Sequence, residues 1–226
     1  MKKVLVIAPH LDDEVLGCGG TMAKLEESGN EVNVVIITNG FVGAPHLYDK
    51  ESLKKTRNEA VNAHKRLKVN KTIFWDYPAT NLRNFQTSRI AESLTDLFSE
   101  LKPDIIFIPH RGDIHEDHKI VFDCSLVASR PVNQFLIKEI YAYETLSETE
   151  WAAPYSSEIF FPTFYNVISE NQLSSKIAAM KLYESQVKAH PNPRSVESVI
   201  NLAKMRGSVI NHEFAEAFYI VRKIEN

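Results

Sequence analysis

Two cysteines, Cys18 and Cys124, in 226 residues leave no disulfide framework, and a reducing, cytoplasmic compartment fits such a chain best. Glycine (8) and proline (10) are too scarce for a collagen-like or low-complexity sequence. No stretch approaches the roughly twenty apolar residues of a membrane span, so membrane insertion is not expected. The apolar run Val4–Ala8 behind Met1, Lys2 and Lys3 stops at Pro9, ahead of His10 and three acids, and so makes no secretory signal. Excess positive charge is lacking too: a net charge of -3 gives no broad cationic field for nucleic acid or anionic lipid. The local basic stretch His64, Lys65, Arg66, Lys68 and Lys71 reads as the solvated end of a helix, complementing its dipole. With 44% apolar, 24% charged and 10% aromatic residues, the chain has what one sizeable core needs.

Val4–Ala8, Val32–Thr38, Thr72–Trp75, Ile105–Ile108 and Ile137–Tyr143 are short apolar runs that read as buried strands. Between them, Val15–Ser28 (closed by Gly29-Asn30), Leu53–Leu67, Ile90–Leu101 (stopped by Pro103) and His118–Ala128 have helical spacing. Strictly alternating elements imply an α/β fold: a Rossmann-like, mostly parallel sheet with helices on both faces. In such a sheet ligands bind outside the carboxyl ends of the strands. Residues 144–226 read as an elaboration of the same domain, with helices at Leu173–Lys188 and Val196–Met205 and a strand at Phe214–Val221. Its aromatics Trp151, Tyr155, Phe160, Phe161, Phe164 and Tyr165 are expected to be core more than ligand platform.

Polar groups gather where that fold puts a ligand. Pro9-His10-Leu11-Asp12-Asp13-Glu14 follows the first strand, and Pro109-His110-Arg111-Gly112-Asp113-Ile114-His115-Glu116-Asp117-His118 follows the fourth. Two imidazoles and a carboxylate from adjacent loops suit a divalent ion such as zinc, and three protein ligands leave a position open for catalysis. His10 and Asp13, three apart at a strand-to-helix turn, can curl toward one point, which leaves Asp12 free to act. Of His115 and His118, also three apart, one can bind metal while the other faces a substrate oxygen. Asp117 and Glu14 suit the fixing of imidazole orientation and tautomer. The plainer reading, acids as helix caps and histidines in ordinary hydrogen bonds, is weakened by the pairing of two such motifs at neighbouring strand ends. Gly17-Cys18-Gly19-Gly20 lies after the acidic turn and inside the first helix, so it is no dinucleotide loop; its small residues let the helix approach the sheet.

Pro9–Glu14 with Gly17-Cys18-Gly19-Gly20-Thr21 resembles the signature of the LmbE-like, or PIG-L, family of zinc-dependent de-N-acetylases. His115-Glu116-Asp117-His118 resembles its second signature, and Arg57-Asn58-Glu59, Ser185-Gln186, Arg206-Gly207 and Ala215-Glu216-Ala217-Phe218 resemble weaker segments. The resemblance implies His10, Asp13 and His118 as zinc ligands, Asp12 as general base, and His115 as the group that stabilises charge or protonates the leaving amine. It implies a sugar contact for Arg57 and makes homo-oligomers common, although no stripe identifies an interface. Leu11, Lys68 and Tyr183 stand where the family commonly has Pro, Gly and His.

The expected activity is hydrolysis of the N-acetyl group of an N-acetylglucosamine-type amino sugar or its conjugate, with protonated His115 and zinc holding the oxyanion. The same ligands also form the facial triad of Fe(II) oxygenases, so Fe(2+) is an alternative ion. A metal site that only captures a sugar or nucleotide is the third reading, against which stands the spare carboxylate of Asp12.

Overall fold

A computed structural model describes residues 1–132, 135–154 and 158–225; Tyr155 lies outside them. Along the chain run β1 (Lys3–Ala8), α1 (Asp13–Glu27), β2 (Glu31–Asn39), the short α2 (Gly40–Gly43), α3 (Lys50–Arg66), β3 (Lys71–Pro78) and α4 (Thr87–Leu101). There follow β4 (Ile105–Pro109), α5 (Glu116–Ala128), β5 (Glu139–Tyr143), β6 (Phe164–Val167), α6 (Glu170–Lys181), α7 (Val196–Val209) and β7 (Ala215–Lys223). Among the described residues no helix is long and apolar enough to cross a membrane.

The strands form one sheet in the order β3-β2-β1-β4-β5-β7-β6. The first five are parallel, while β7 runs antiparallel to both β5 and β6. Alternate residues of β1 sit in different cores: Val4, Val6 and Ala8 pack with α1, α3 and α6, whereas Leu5 and Ile7 pack with α4 and α5. All five are fully buried, so helices cover both faces of the sheet as the continuous apolar runs require. The chain leaves β1 toward β2 on one side and returns to β4 on the other, which places the topological switch point between β1 and β4.

The glycines of α1 do what their position suggests. A Cβ at Gly17 would lie 2.3 Å from Cδ2 of Tyr143 on β5, whose hydroxyl donates to the Ile7 carbonyl at 2.9 Å. Helix and sheet therefore meet at backbone distance beside the β1 turn. The helix closes on Gly29 (φ 75), with the Gly29 N–H on the Glu26 carbonyl and the Asn30 N–H on that of Leu25, so the Gly29-Asn30 stop holds. Lys68 takes the corresponding left-handed position after α3 at φ 53, where glycine fits more easily.

Several expectations are corrected. β6 was not anticipated, and the C-terminal third completes the sheet with two strands. α6 stops at Lys181 because the following residues turn inward: Tyr183 reaches Glu14 and the Ser185 hydroxyl donates to Glu59 at 2.6 Å. His64 is buried, not solvated; it shares a face of α3 with Ala60 and Ala63 and bonds Glu14 and Thr72. Trp151 and Phe161 are 55% and 71% exposed and so are not core, while Phe164 packs against Tyr141 and Phe218.

Candidate active site and metal centre

Because β1 and β4 pair, the turns leaving their carboxyl ends meet at the switch point. Asp12 takes φ 94, a conformation costly for a residue with a Cβ and typical of functional turns. Its carbonyl accepts the N–H groups of Val15 and Leu16 at 3.1 and 2.9 Å, starting α1, while Asp13 Oδ2 accepts the His10 backbone N–H at 2.9 Å. His115 opens α5 as its N-cap, with Nδ1 accepting the Asp117 N–H at 3.2 Å.

These turns bring together His10, Asp13 and His118. His10 Nδ1 lies 3.3 Å and His118 Nε2 3.2 Å from Asp13 Oδ2, and one donor atom from each residue lies within 4.8 Å of the others. Asp13 Oδ1 and His118 Nε2 are buried without a hydrogen-bond partner. Such orphaned atoms are costly alone and are satisfied together by a cation. Two nitrogens and an oxygen fit a borderline divalent ion.

The outer nitrogen of each imidazole is fixed. His10 Nε2 lies 3.0 Å from Asp117 Oδ2, and Asp117 is itself held by the backbone N–H groups of Thr80 (2.7 Å) and Leu82 (3.2 Å). His118 Nδ1 lies 2.7 Å from Asp113 Oδ2, whose other oxygen accepts the Thr149 hydroxyl at 2.6 Å. Protons placed on these outer nitrogens leave His10 Nδ1 and His118 Nε2 as lone-pair donors. His10, His115 and Asp117 also approach one another, but there His10 Nε2 and Asp117 already satisfy each other.

Glu14 does not orient either imidazole. One residue beyond Asp13 it is turned by about 100° around the helix, and it accepts the Tyr183 hydroxyl at 2.5 Å and faces His64 Nε2 at 3.0 Å. From α3 the Arg57 side chain lies on β3, donating to the Trp75 carbonyl at 3.1 Å and to Asp76 at 2.5 Å, with its guanidinium over Phe74. It is not among the residues lining the cleft beside the cluster.

Asp12 is fully buried, and its two oxygens differ. Oδ2 accepts Arg194 Nη1 at 3.0 Å, while Oδ1 has no partner. Burial pushes its carboxyl well above the usual carboxylate range in spite of Arg194. Asp13 goes the other way: burial opposes its charge, but His118 and His10 hold it well below that range. Burial, then the neighbouring His10, lowers His115 to about 4. With Nδ1 accepting the Asp117 N–H, a neutral His115 ring carries its proton on Nε2.

Sequence reasoning missed Arg194 and gave Asp113 no role. Asp113 stood in the quoted loop, but nothing local says which carboxylate meets an imidazole. Arg194 lies on a loop after α6 with no periodic pattern.

Residues 5–129 match the family model PIG-L, GlcNAc-PI de-N-acetylase. The chain belongs to the PIG-L family. That PIG-L segment contains both turns and every residue of the candidate metal cluster. An uncharacterised deacetylase of Escherichia coli K12, YaiS, is 29% identical over 189 residues, 81% of this chain and 91% of that protein. The diacetylchitobiose deacetylase of Thermococcus kodakarensis is 29% identical over 126 residues, 53% of this chain and 46% of that one. The fold is also that of the 4-carboxy-2-hydroxymuconate hydratase GalB of Pseudomonas putida KT2440, with TM-score 0.77 at 21% identity over 100% of this chain and 99% of that one. Likeness of fold alone therefore does not choose the reaction.

Proposed function

We propose that this PIG-L protein is a divalent-metal-dependent N-deacetylase of N-acetylglucosamine-type amino sugars, with His10, Asp13 and His118 holding the ion, zinc in the first instance. The observation that carries the reading is the unpartnered Oδ1 of Asp12 beside three converging ligands, two of which present orphaned atoms. Membership of the PIG-L family and likeness to deacetylases support hydrolysis over the Fe(II) oxygenase and binding-only alternatives. Zinc, when bound, supplies Lewis acidity that lowers the pKa of water toward about 7 and polarises an amide carbonyl.

The chain's own residues account for the proton path. Asp12 Oδ1 takes a proton from the attacking water, and the Arg194 guanidinium keeps Oδ2 from turning toward it. Nε2–H of neutral His115 donates to the oxygen of the tetrahedral centre. Asp12, whose buried carboxyl holds a proton readily, then passes it to nitrogen as the C–N bond breaks. One water and one amide become acetate and a free amine. His115 contributes a hydrogen bond and no proton.

The test is Asp12→Asn. It should retain one bound ion per chain while acetate release falls about 10²- to 10⁴-fold, the range of a lost general base. Near-normal turnover in a metal-loaded Asp12→Asn protein would falsify the assignment. Acetate release that required dioxygen would favour the Fe(II) reading.

A further inference from the structure

We propose that the cleft beside the metal cluster selects a neutral amino-saccharide, with a second, uncharged sugar ring lying on Phe41 and Tyr48, and rejects conjugates carrying phosphate or carboxylate there. The proposal rests on the deacetylase reading and narrows its substrate.

The cleft has a volume of about 260 Å³ and two unlike walls. That is below the roughly 300–1,000 Å³ of sites that engulf a drug-sized ligand, so one ring fills it and a second lies against its rim. The first wall comes from α2 and the start of α3: Phe41, Tyr48 and Leu53, with the hydroxyls of Ser52 and Thr56. A Cβ at Gly40 would lie 3.0 Å from Tyr48 Cδ2, so glycine there lets the tyrosine ring lie against the backbone. Phe41 is fixed by the Lys50 ammonium, 5.6 Å from its ring centroid and outside the cleft lining. Tyr48 remains 46% exposed, a large aromatic surface unused by the core. A pyranose ring carries C–H groups on its faces and hydroxyls at its edge, so an aromatic plate beside hydroxyls matches it on both counts. Trp151, although exposed, does not line the cleft.

The second wall decides charge. Among the described lining residues Arg194 is the single Lys or Arg, and its guanidinium is already committed. It donates to Asp12 (3.0 Å), Gln186 (3.0 Å) and Ser147 (2.8 Å) and lies 3.6 Å from Glu148. A phosphate or carboxylate entering along this wall would find Arg194 already paired and would face Glu148, losing hydration without compensation, while the Lys50 ammonium sits on Phe41 outside the lining. An uncharged ring loses nothing of the kind.

The experiment measures acetate release by the zinc-loaded protein from N-acetylglucosamine, N,N′-diacetylchitobiose, N-acetylglucosamine 1-phosphate and UDP-N-acetylglucosamine. Diacetylchitobiose should exceed both phosphates in kcat/KM by at least about tenfold, the effect of one unfavourable charge contact at a partly screened site. Tyr48→Ala should raise KM for the disaccharide more than for the monosaccharide, and Tyr48→Phe, which keeps the ring, should not. Glu148→Gln should raise kcat/KM on the phosphates about fivefold, as expected for removal of a like charge. Phosphates turned over as well as the disaccharide would overturn this proposal and leave the deacetylase reading standing. No acetate from any of the four, with metal bound, would overturn the deacetylase reading itself.

Discussion

Arg194 Nη1 donates to Asp12 Oδ2 at 3.0 Å across 182 residues of chain, and the other oxygen of Asp12 has no partner. The grip separates the two oxygens of one carboxylate, one held and one left for the proposed chemistry. Removing the guanidinium would leave a fully buried acid without its counter-charge, and such a group becomes neutral or disrupts its surroundings. Arg194→Met should therefore lower kcat about 10²-fold, the smaller part of a general base's contribution, with bound metal unchanged. Arg194→Lys should recover part of the loss. Steady-state kinetics beside metal analysis reads both, and a defect confined to KM would show that Arg194 acts on substrate binding alone.

Under the proposed ligand set, Asp113 would act on a bound ion through the His118 imidazole. It accepts from His118 Nδ1 and is steadied by Thr149, so its loss frees the ring to take the other tautomer. Asp113→Ala should weaken zinc binding about 10- to 100-fold, the usual effect of removing such a partner. Competition against a chelator measures the change. Thr149→Val should produce a smaller change in the same direction.

These two residues mark where the sequence stops being legible. The central strands and both metal turns could be read because apolar runs and ligand spacing are local properties. That the turns carrying His10, Asp13, His115 and His118 would meet needed only the rule that parallel strands deliver their loops to one edge, whereas spacing left His115 and His118 open and the family resemblance chose between them. Asp113 was visible yet mute, since a loop has no period from which to infer direction. Arg194 had no signal at all, because its role exists only once α6 ends and the chain folds back over β1. His64 did leave one. It follows Ala60 by four residues and Ala63 by one, and that buried face outweighs its basic neighbours Lys65 and Arg66. β6 escaped because Phe164–Val167 is short and its strand character comes from pairing with β7.

Beneath the metal turn, Glu14 is fully buried and is held by Tyr183 and His64, while its Oε2 has no partner. Tyr183→Phe would remove one of two partners and leave the carboxylate under-satisfied. A loss of about 1–3 kcal/mol in unfolding free energy is expected, the cost of stranding a buried polar group. Urea denaturation measures it. Because Glu14 touches neither metal-site imidazole, zinc stoichiometry should stay at that of the parent, and a variant that loses zinc without losing stability would contradict this division of labour.

In the proposed site, protons and metal would compete for the same nitrogens. In the metal-free protein burial opposes charge on both imidazoles, but Asp117 and Asp13 raise His10 to about 9, and Asp13 and Asp113 raise His118 to about 10. Both folded values exceed the unfolded one of about 6.5, so the folded state binds more protons between those limits. This contribution to stability is complete below about pH 6.5 and is lost as pH rises through 9 and 10. Metal-free protein should therefore melt at a lower temperature at pH 9.5 than at pH 7. A bound ion takes the place of those protons, so the zinc form should show a flatter profile. At pH 7 zinc uptake should release about two protons per ion, because both nitrogens must be deprotonated to bind. Titration calorimetry in buffers of different protonation enthalpy counts them. A binding heat independent of the buffer would mean that the imidazoles are neutral before the metal arrives and that the carboxylates around them do not hold them charged.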